Sequence, residues 1–251
     1  YDPDGTIVEQ VTGKSWETII QEKLFEPLDM HSLATTFSQM EKSTNYASPY
    51  GIFEGKTEKV IFEKFYSVSP AGAIKSNVMD MSNWMLTWLN KGEFKGKQVI
   101  PSDYIALATR LQNIKDGVYE SDSFLHGDGF GWRLRSSYGH YRIDHGGNTY
   151  GFSSNLILFP FEGIGVVVLT NQDNSLLPYL VADNITRRLF HLDPAPEYPV
   201  VVTDIFKPSP YNAMNTDKMP SVPLENFCGT YTAEGFGKIG VIKDGEKLYA
   251  I

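Results

Sequence analysis

Asp144-His145-Gly146-Gly147-Asn148-Thr149-Tyr150-Gly151-Phe152-Ser153-Ser154 is the stretch around which the rest of the chain is organised. Just before it, Tyr141 and Ile143 alternate with His140 and Arg142, the period-2 pattern of a half-buried strand. Carried forward, that period puts His145 on the face of Tyr141 and Ile143, with Arg142 and Asp144 on the other. After it, residues 152–159 and 164–170 read as two more strands, with Pro160-Phe161-Glu162-Gly163 as the turn between them. Gly146 and Gly147 carry no Cβ, so another molecule's backbone can approach the strand directly after the histidine. One reading lays a substrate along this strand with His145 at its reacting end. The other is a glycine-rich hairpin holding a hydrogen-bonded histidine. The residues alone leave both open.

Working outward, residues 127–135 read as a glycine-rich lead into a further strand, with Phe130 and Trp132 on one face. Residues 130–170 are therefore expected to form an antiparallel meander. A helix over 176–192 is expected to pack Leu177, Leu180, Val181, Ile185, Leu189 and Phe190 onto that sheet. Its Asp183 lies early and Arg187, Arg188 and His191 lie late, as the helix dipole favours. Residues 77–90 form another helix, with Val78, Met81, Met85, Trp88 and Leu89 as its apolar stripe and Lys91-Gly92 as its end. This helix is expected in a separate, mainly helical lobe. Shorter helices are predicted at 5–13, after Ser15 as N-cap, and from Pro101 onward. Residues 31–67 read as loops with short strands.

The prolines of 193–223 mark a linker. Residues 224–251, with Asp244-Gly245 as a hairpin turn, read as the start of a small β-rich module. Hairpins alone are marginal in water, so that module is expected to dock on the first domain or to be truncated. The expected organisation is a domain over 1–192, the linker, and this module.

Net charge is -8, and no run of Lys and Arg is long enough to track a phosphate backbone, which argues against nucleic acid as a partner. A single cysteine, Cys228, excludes an internal disulfide framework and a cysteine-based zinc site. His126, His140 and His145 with Asp128 and Asp144 make a poor metal set, because His140 and His145 face opposite ways and no HExxH spacing occurs. No apolar run reaches the ~20 residues of a membrane span.

Several stretches resemble, in order, the C-terminal part of serine β-lactamase/penicillin-binding-protein-like hydrolases of the class C type. Thr6-Ile-Val-Glu-Gln-Val-Thr-Gly-Lys-Ser-Trp16 with Leu24-Phe-Glu-Pro-Leu-Asp-Met30 resembles the family's helix and its "EPLGM" exit. Ser69-Pro-Ala-Gly-Ala-Ile-Lys-Ser76 with Asp80-Met-Ser82 resembles "PAGGLYSTAxDLA", and Gly129-Phe-Gly-Trp132 resembles "YGLGW". His145 to Ser154 resembles the third catalytic box, which is Lys-Thr-Gly or His-x-Gly among relatives. The likeness runs over roughly residues 6–192, and the segment from Leu224 is similar to the start of a small β-barrel that some members append.

The resemblance implies an α/β (α+β) fold, an antiparallel sheet flanked by helices with a mainly helical lobe. It also implies a bacterial, periplasmic or secreted hydrolase, of esterase or peptidase type, needing no cofactor and no metal. Such an enzyme opens an amide or ester through an acyl-enzyme; D-amino-acid peptides, β-lactams and small esters are the candidate substrates. His145 would be a polar or proton-handling group at the site wall. Gly146 and Gly147 would let substrate pair with the strand, and the N–H of Asn148 would be one of two oxyanion donors. The family's Ser-x-x-Lys nucleophile motif is absent from these 251 residues, so the chain by itself is expected to be inactive. The alternative is a non-catalytic binding or regulatory protein on the same scaffold. In the family, N-terminal strands complete the sheet. An unpaired sheet edge is therefore expected here, and with it a tendency to oligomerise or exchange strands.

Overall fold

Residues 133–170 form the expected antiparallel meander. The computed structural model describes residues 2–53, 55–62, 69–115, 124, 126–193, 220–233 and 237–250. The helical part contains α1 (Asp2–Thr12), α2 (Trp16–Ile20) running into a π-helical turn (Gln21–Phe25), and α3 (Phe37–Glu41). A hairpin of β1 (Tyr50–Phe53) and β2 (Lys56–Lys59) follows, then α4 (Ser69–Gly72) and α5 (Val78–Leu89). A second small hairpin, β3 (Glu93–Phe94) and β4 (Lys97–Gln98), leads to α6 (Ser102–Ala108). Next come β5 (Asn113–Ile114), β6 (His126–Asp128), β7 (Arg133–Ser137), β8 (His140–Thr149), β9 (Phe152–Phe159), β10 (Ile164–Thr170) and α7 (Leu177–Leu189). Strands β5 to β10 form one six-stranded sheet in the order β10-β9-β8-β7-β6-β5, every neighbour antiparallel.

Local chemistry sets the helix ends. The Ser15 hydroxyl caps α2 by accepting from the Thr18 N–H, and the Asn77 side chain caps α5 by accepting from Met79 and Asp80. Lys91 and Gly92, both at positive φ, end α5.

α5 lies against one face of the sheet rather than apart from it. Its Met85 and Trp88 share a core with Trp132, Leu134, Ile143, Leu156 and Leu158, and the Trp88 and Trp132 rings meet edge to face at 4.8 Å. Met81 and Trp84 of the same helix pack against Ile20, Phe25, Leu28, Met30 and Phe94, so α5 joins the helical lobe to the sheet. Phe130 and Trp132 do not share a face: they lie in the β6–β7 turn, with Trp132 buried and Phe130 exposed.

α7 covers the opposite face, but not with the residues its hydrophobicity suggests. Pro178, Ala182 and Thr186 are the buried positions, and Ala182 sits among Ile157, Phe159 and Val166. The sheet already presents large side chains there, so the helix meets them with small ones. Leu177, Ile185 and Leu189, expected in the core, are exposed at 52%, 39% and 48%. Phe190 does pack inward, stacked on His140 at 4.2 Å.

The chain divides into two compact units, residues 1–198 and 199–251. Most of the proline-rich stretch, residues 194–219, falls outside the described residues. In the second unit a 3-10 turn (Leu224–Phe227) precedes β11 (Gly229–Ala233), β12 (Gly237–Asp244) and β13 (Lys247–Ala250), which form their own antiparallel sheet. Its β12–β13 turn carries Gly245 at φ 58°, the glycine-type turn expected at Asp244-Gly245.

Candidate active site

β8 has strand neighbours on both sides only at Ile143 and Asp144. Pairs from Ser137↔His140 to Arg133↔Asp144 join it to β7, while β9 accompanies it from Ile143 to Thr149. Past Asp144, among the described residues, no strand takes the side that β7 leaves. The chain ahead of β7 turns away there: the Phe130 N–H donates to the Ala108 carbonyl at 3.0 Å and the Gly129 N–H to the Trp132 carbonyl at 2.8 Å. The β8–β9 hairpin closes on Thr149↔Phe152 through the Tyr150-Gly151 loop. Antiparallel alternation then points the N–H and C=O of Asn148 and Gly146 away from β9, into the open edge.

What holds this edge in place lies on the α7 face. Asp144 is fully buried and accepts from Arg135 Nε at 2.8 Å, Arg135 Nη2 at 2.9 Å and Arg142 Nε at 3.0 Å. Burial pulls the Arg142 guanidinium below its usual range, while Asp144 beside it pulls the other way. Gly146 is required within the fold: a Cβ there would stand 2.0 Å from the Tyr179 hydroxyl of α7. On the other face, a Cβ on Gly147 would stand 2.6 Å from Ser154 Oγ, and His145 is exposed on the side of Ile143.

The Asn148 side chain is an anchor. Its Oδ1 accepts from the Asn174 N–H at 2.7 Å and from Ser153 Oγ at 2.8 Å, and its Nδ2 donates to Asn174 Oδ1 at 3.2 Å. Gly151, at φ 86°, packs where a Cβ would come within 2.1 Å of Pro49. The loop-like residues around 48–62 thus border the hairpin: the Asp173 N–H donates to the Tyr50 carbonyl at 3.0 Å, and Phe62 stacks on Phe152 at 5.9 Å. On a further border, a Cβ on Gly72 of α4 would lie 3.9 Å from Thr149 Cγ2, and a Cβ on Gly5 of α1 would lie 2.3 Å from Pro70. Three residues on, burial lowers the pKa of the Lys75 amine, whose Nζ donates to the Ala73 carbonyl at 3.0 Å.

His145, Gly146, Gly147 and Asn148 therefore lie together on one strand segment, with His145 and Gly147 on one face and the free main chain of Gly146 and Asn148 at the edge. Sequence reasoning missed Asp144 with its two arginines, Tyr179, Asn174 and Ser153. The arginine cluster had a signal, since Arg142 and Asp144 occupy the same face of a strand that must be covered. Tyr179 and Asn174 had none, because their partners are 33 and 26 positions away.

The fold is shared with penicillin-binding-protein homologues. The octameric penicillin-binding protein homologue from Pyrococcus abyssi superposes with a TM-score of 0.67 at 22% identity, covering 98% of this chain and 50% of that one. The penicillin binding protein from Bacillus halodurans gives 0.56 at 18% identity, over 72% of this chain and 53% of that one. At these identities the likeness speaks for the fold. The Beta-lactamase family profile matches residues 5–187, and the chain belongs to that family. It is also similar to Protein flp of Staphylococcus aureus (strain MW2), 26% identical over 196 residues, which are 76% of this chain and 36% of the relative. Penicillin-binding protein 4 of Amycolatopsis lactamdurans is 27% identical over 171 residues, 66% of this chain and 44% of the relative. The chain thus spans well under half the length of these curated relatives.

Proposed function

We propose that the 145–149 edge of β8 is the substrate-binding wall of an acyl-transfer hydrolase acting on an amide or ester. An extended acyl group, such as a D-amino-acid peptide, a β-lactam or a small ester, lies along the edge as an added strand and pairs with the main chain of Gly146 and Asn148. The N–H of Asn148 donates to the carbonyl oxygen as it gains negative charge, one of two such donors. His145, exposed beside it, handles a proton or stabilises charge. The Ser-x-x-Lys motif that would carry the attacking serine is absent from these 251 residues, so on this reading the chain supplies the binding wall and half the oxyanion hole. The observation that carries the reading is the change of partners along β8, which leaves main-chain donors unpaired by a strand directly beside an exposed histidine.

Amide NMR tests it. Titration with an N-acyl-D-alanyl-D-alanine peptide should shift the signals of residues 145–149 together. The same preparation should form no covalent adduct with a fluorophosphonate by intact mass. Shifts confined to other regions would remove the edge from the site, and an adduct on a serine of this chain would show a nucleophile elsewhere in it.

A further inference from the structure

A groove on the α5 face of the sheet runs from Ile143 away from the open edge, toward the β9–β10 turn. Trp88, Ile105, Tyr141 and Ile143 form its apolar floor, and the groove holds about 610 Å³. Small-molecule sites occupy about 300–1,000 Å³ and are mostly apolar with a few placed polar groups, so size and lining both fit. The near end of the groove, Ile143, is two positions from His145 on the same face, ~7 Å at ~3.3 Å per residue, and the groove runs from there away from the open edge. Phe161 stands at the mouth, 82% exposed, with its ring 5.7 Å from that of Tyr141.

The charges decide what the groove suits. The chain as a whole carries a net charge of -8, yet the charged side chains lining this groove are Lys91 and Arg110, with no carboxylate among them. Neither cation takes part in the ion pairs of the described residues. The nearest acid along the turn, Glu162, is already held by His140 Nδ1 at 2.6 Å. Lys91 follows α5 and Arg110 follows α6, so each flanks the apolar floor from a different side. An apolar trough whose cations take part in no ion pair among the described residues, on an otherwise acidic protein, selects a ligand with a hydrocarbon body and an anionic end.

We propose that this groove binds a soluble anionic amphiphile, a medium-chain fatty carboxylate. Its tail lies on Leu89, Leu111, Tyr141 and Phe161, the apolar lining residues that keep exposed surface, and its carboxylate meets Lys91 or Arg110. A trough of this volume takes one hydrocarbon chain, and the free carboxylate is the occupant of that size that its cations suit. The groove's lining shares no residue with the proposed hydrolase edge.

Isothermal titration calorimetry of the 251-residue chain with sodium dodecanoate, kept below its micelle concentration, tests this. One saturable site per chain is expected, with dodecyltrimethylammonium bound at least tenfold more weakly. Lys91→Glu or Arg110→Glu should weaken dodecanoate at least tenfold. Ala106→Trp, on an exposed helix position that lines the groove, should abolish binding while leaving the melting midpoint in place. Equal binding of the cationic amphiphile would overturn the proposal, as would indifference to both charge reversals. Sedimentation with anionic phospholipid vesicles, without saturable dodecanoate binding, would assign the patch to a membrane surface instead and overturn it too.

Discussion

Removing the Asp144 carboxylate should destabilise the first unit by about 3 kcal/mol, and the structure explains why the loss is that large. Asp144 has no exposed surface and holds two guanidinium groups through three hydrogen bonds of 2.8, 2.9 and 3.0 Å. Taking one partner from a buried ion pair typically costs ~3–5 kcal/mol, because the remaining charge stays buried without compensation. The Arg135 side chain is 29% exposed and recovers part of its loss from water, whereas that of Arg142 is 11% exposed and recovers little, so the lower end of the range applies. For a domain with ~5–15 kcal/mol of total stability, this is a large fraction. Asp144→Ala can be followed by urea unfolding with tryptophan fluorescence. All four tryptophans, Trp16, Trp84, Trp88 and Trp132, lie in the first unit, so the signal reports that unit alone. Replacing the pair by apolar groups, Arg142→Met with Asp144→Leu, should recover most of the loss, since a buried charge is then no longer stranded. A loss below about 1 kcal/mol for Asp144→Ala, or a double variant no better than the single one, would refute the reasoning.

Other outcomes follow from neighbouring contacts. Gly146→Ala should lower stability by roughly 1–3 kcal/mol as an overpacking strain, and Tyr179→Ala should remove most of that penalty when the two are combined, by melting of all the variants. Asn148→Ala, which removes the anchor on Asn174 and Ser153, should cost about 1 kcal/mol and weaken the peptide-induced shifts at 145–149. Burial lowers the Lys75 pKa, so the folded state disfavours the charged amine; wild-type stability relative to Lys75→Met should rise as pH increases through the folded pKa toward the ordinary value of 10.5. Melting at pH 8 and pH 10 checks the sign, and a fall would contradict it. In a form of the protein that includes a Ser-x-x-Lys segment, His145→Ala should lower kcat by ~10²-fold with an unchanged melting midpoint; normal kcat with a lower midpoint would make His145 structural. The outer edge of β10 has no strand partner among the described residues, so light scattering should find self-association, which charged substitution at the exposed Leu169 reduces.

The meander was legible because residues 140–143 alternate, the apolar runs at 156–159 and 164–169 follow at strand length, and the turns carry glycine or proline at the required places. α5 was legible from a long apolar stripe that stops at Lys91-Gly92, and the structure adds the Asn77 cap. α7 misled because hydrophobicity marks what a helix can bury, not what the sheet leaves room for. The large Ile157, Phe159 and Val166 admit only Ala182 and its small neighbours, and so Leu177, Ile185 and Leu189 face outward. At the site, the main-chain reading of His145 to Asn148 needed only local sequence. The grounds for Gly146 and the anchoring of Asn148 lie in Tyr179 and Asn174, whose contacts exist only after the chain has folded back on itself. The resemblance marked Gly146 as an opening for substrate. The structure adds that Tyr179 already occupies the space a side chain would need.

The most direct measurement of the central claim is a crystal structure of this chain with an N-acyl-D-alanyl-D-alanine peptide. The peptide should lie extended along residues 145–149, with a carbonyl oxygen about 2.7–3.1 Å from the Asn148 nitrogen and His145 facing the same end of the ligand. A peptide seated elsewhere, or an Asn148 N–H already engaged by the protein's own main chain, would contradict it.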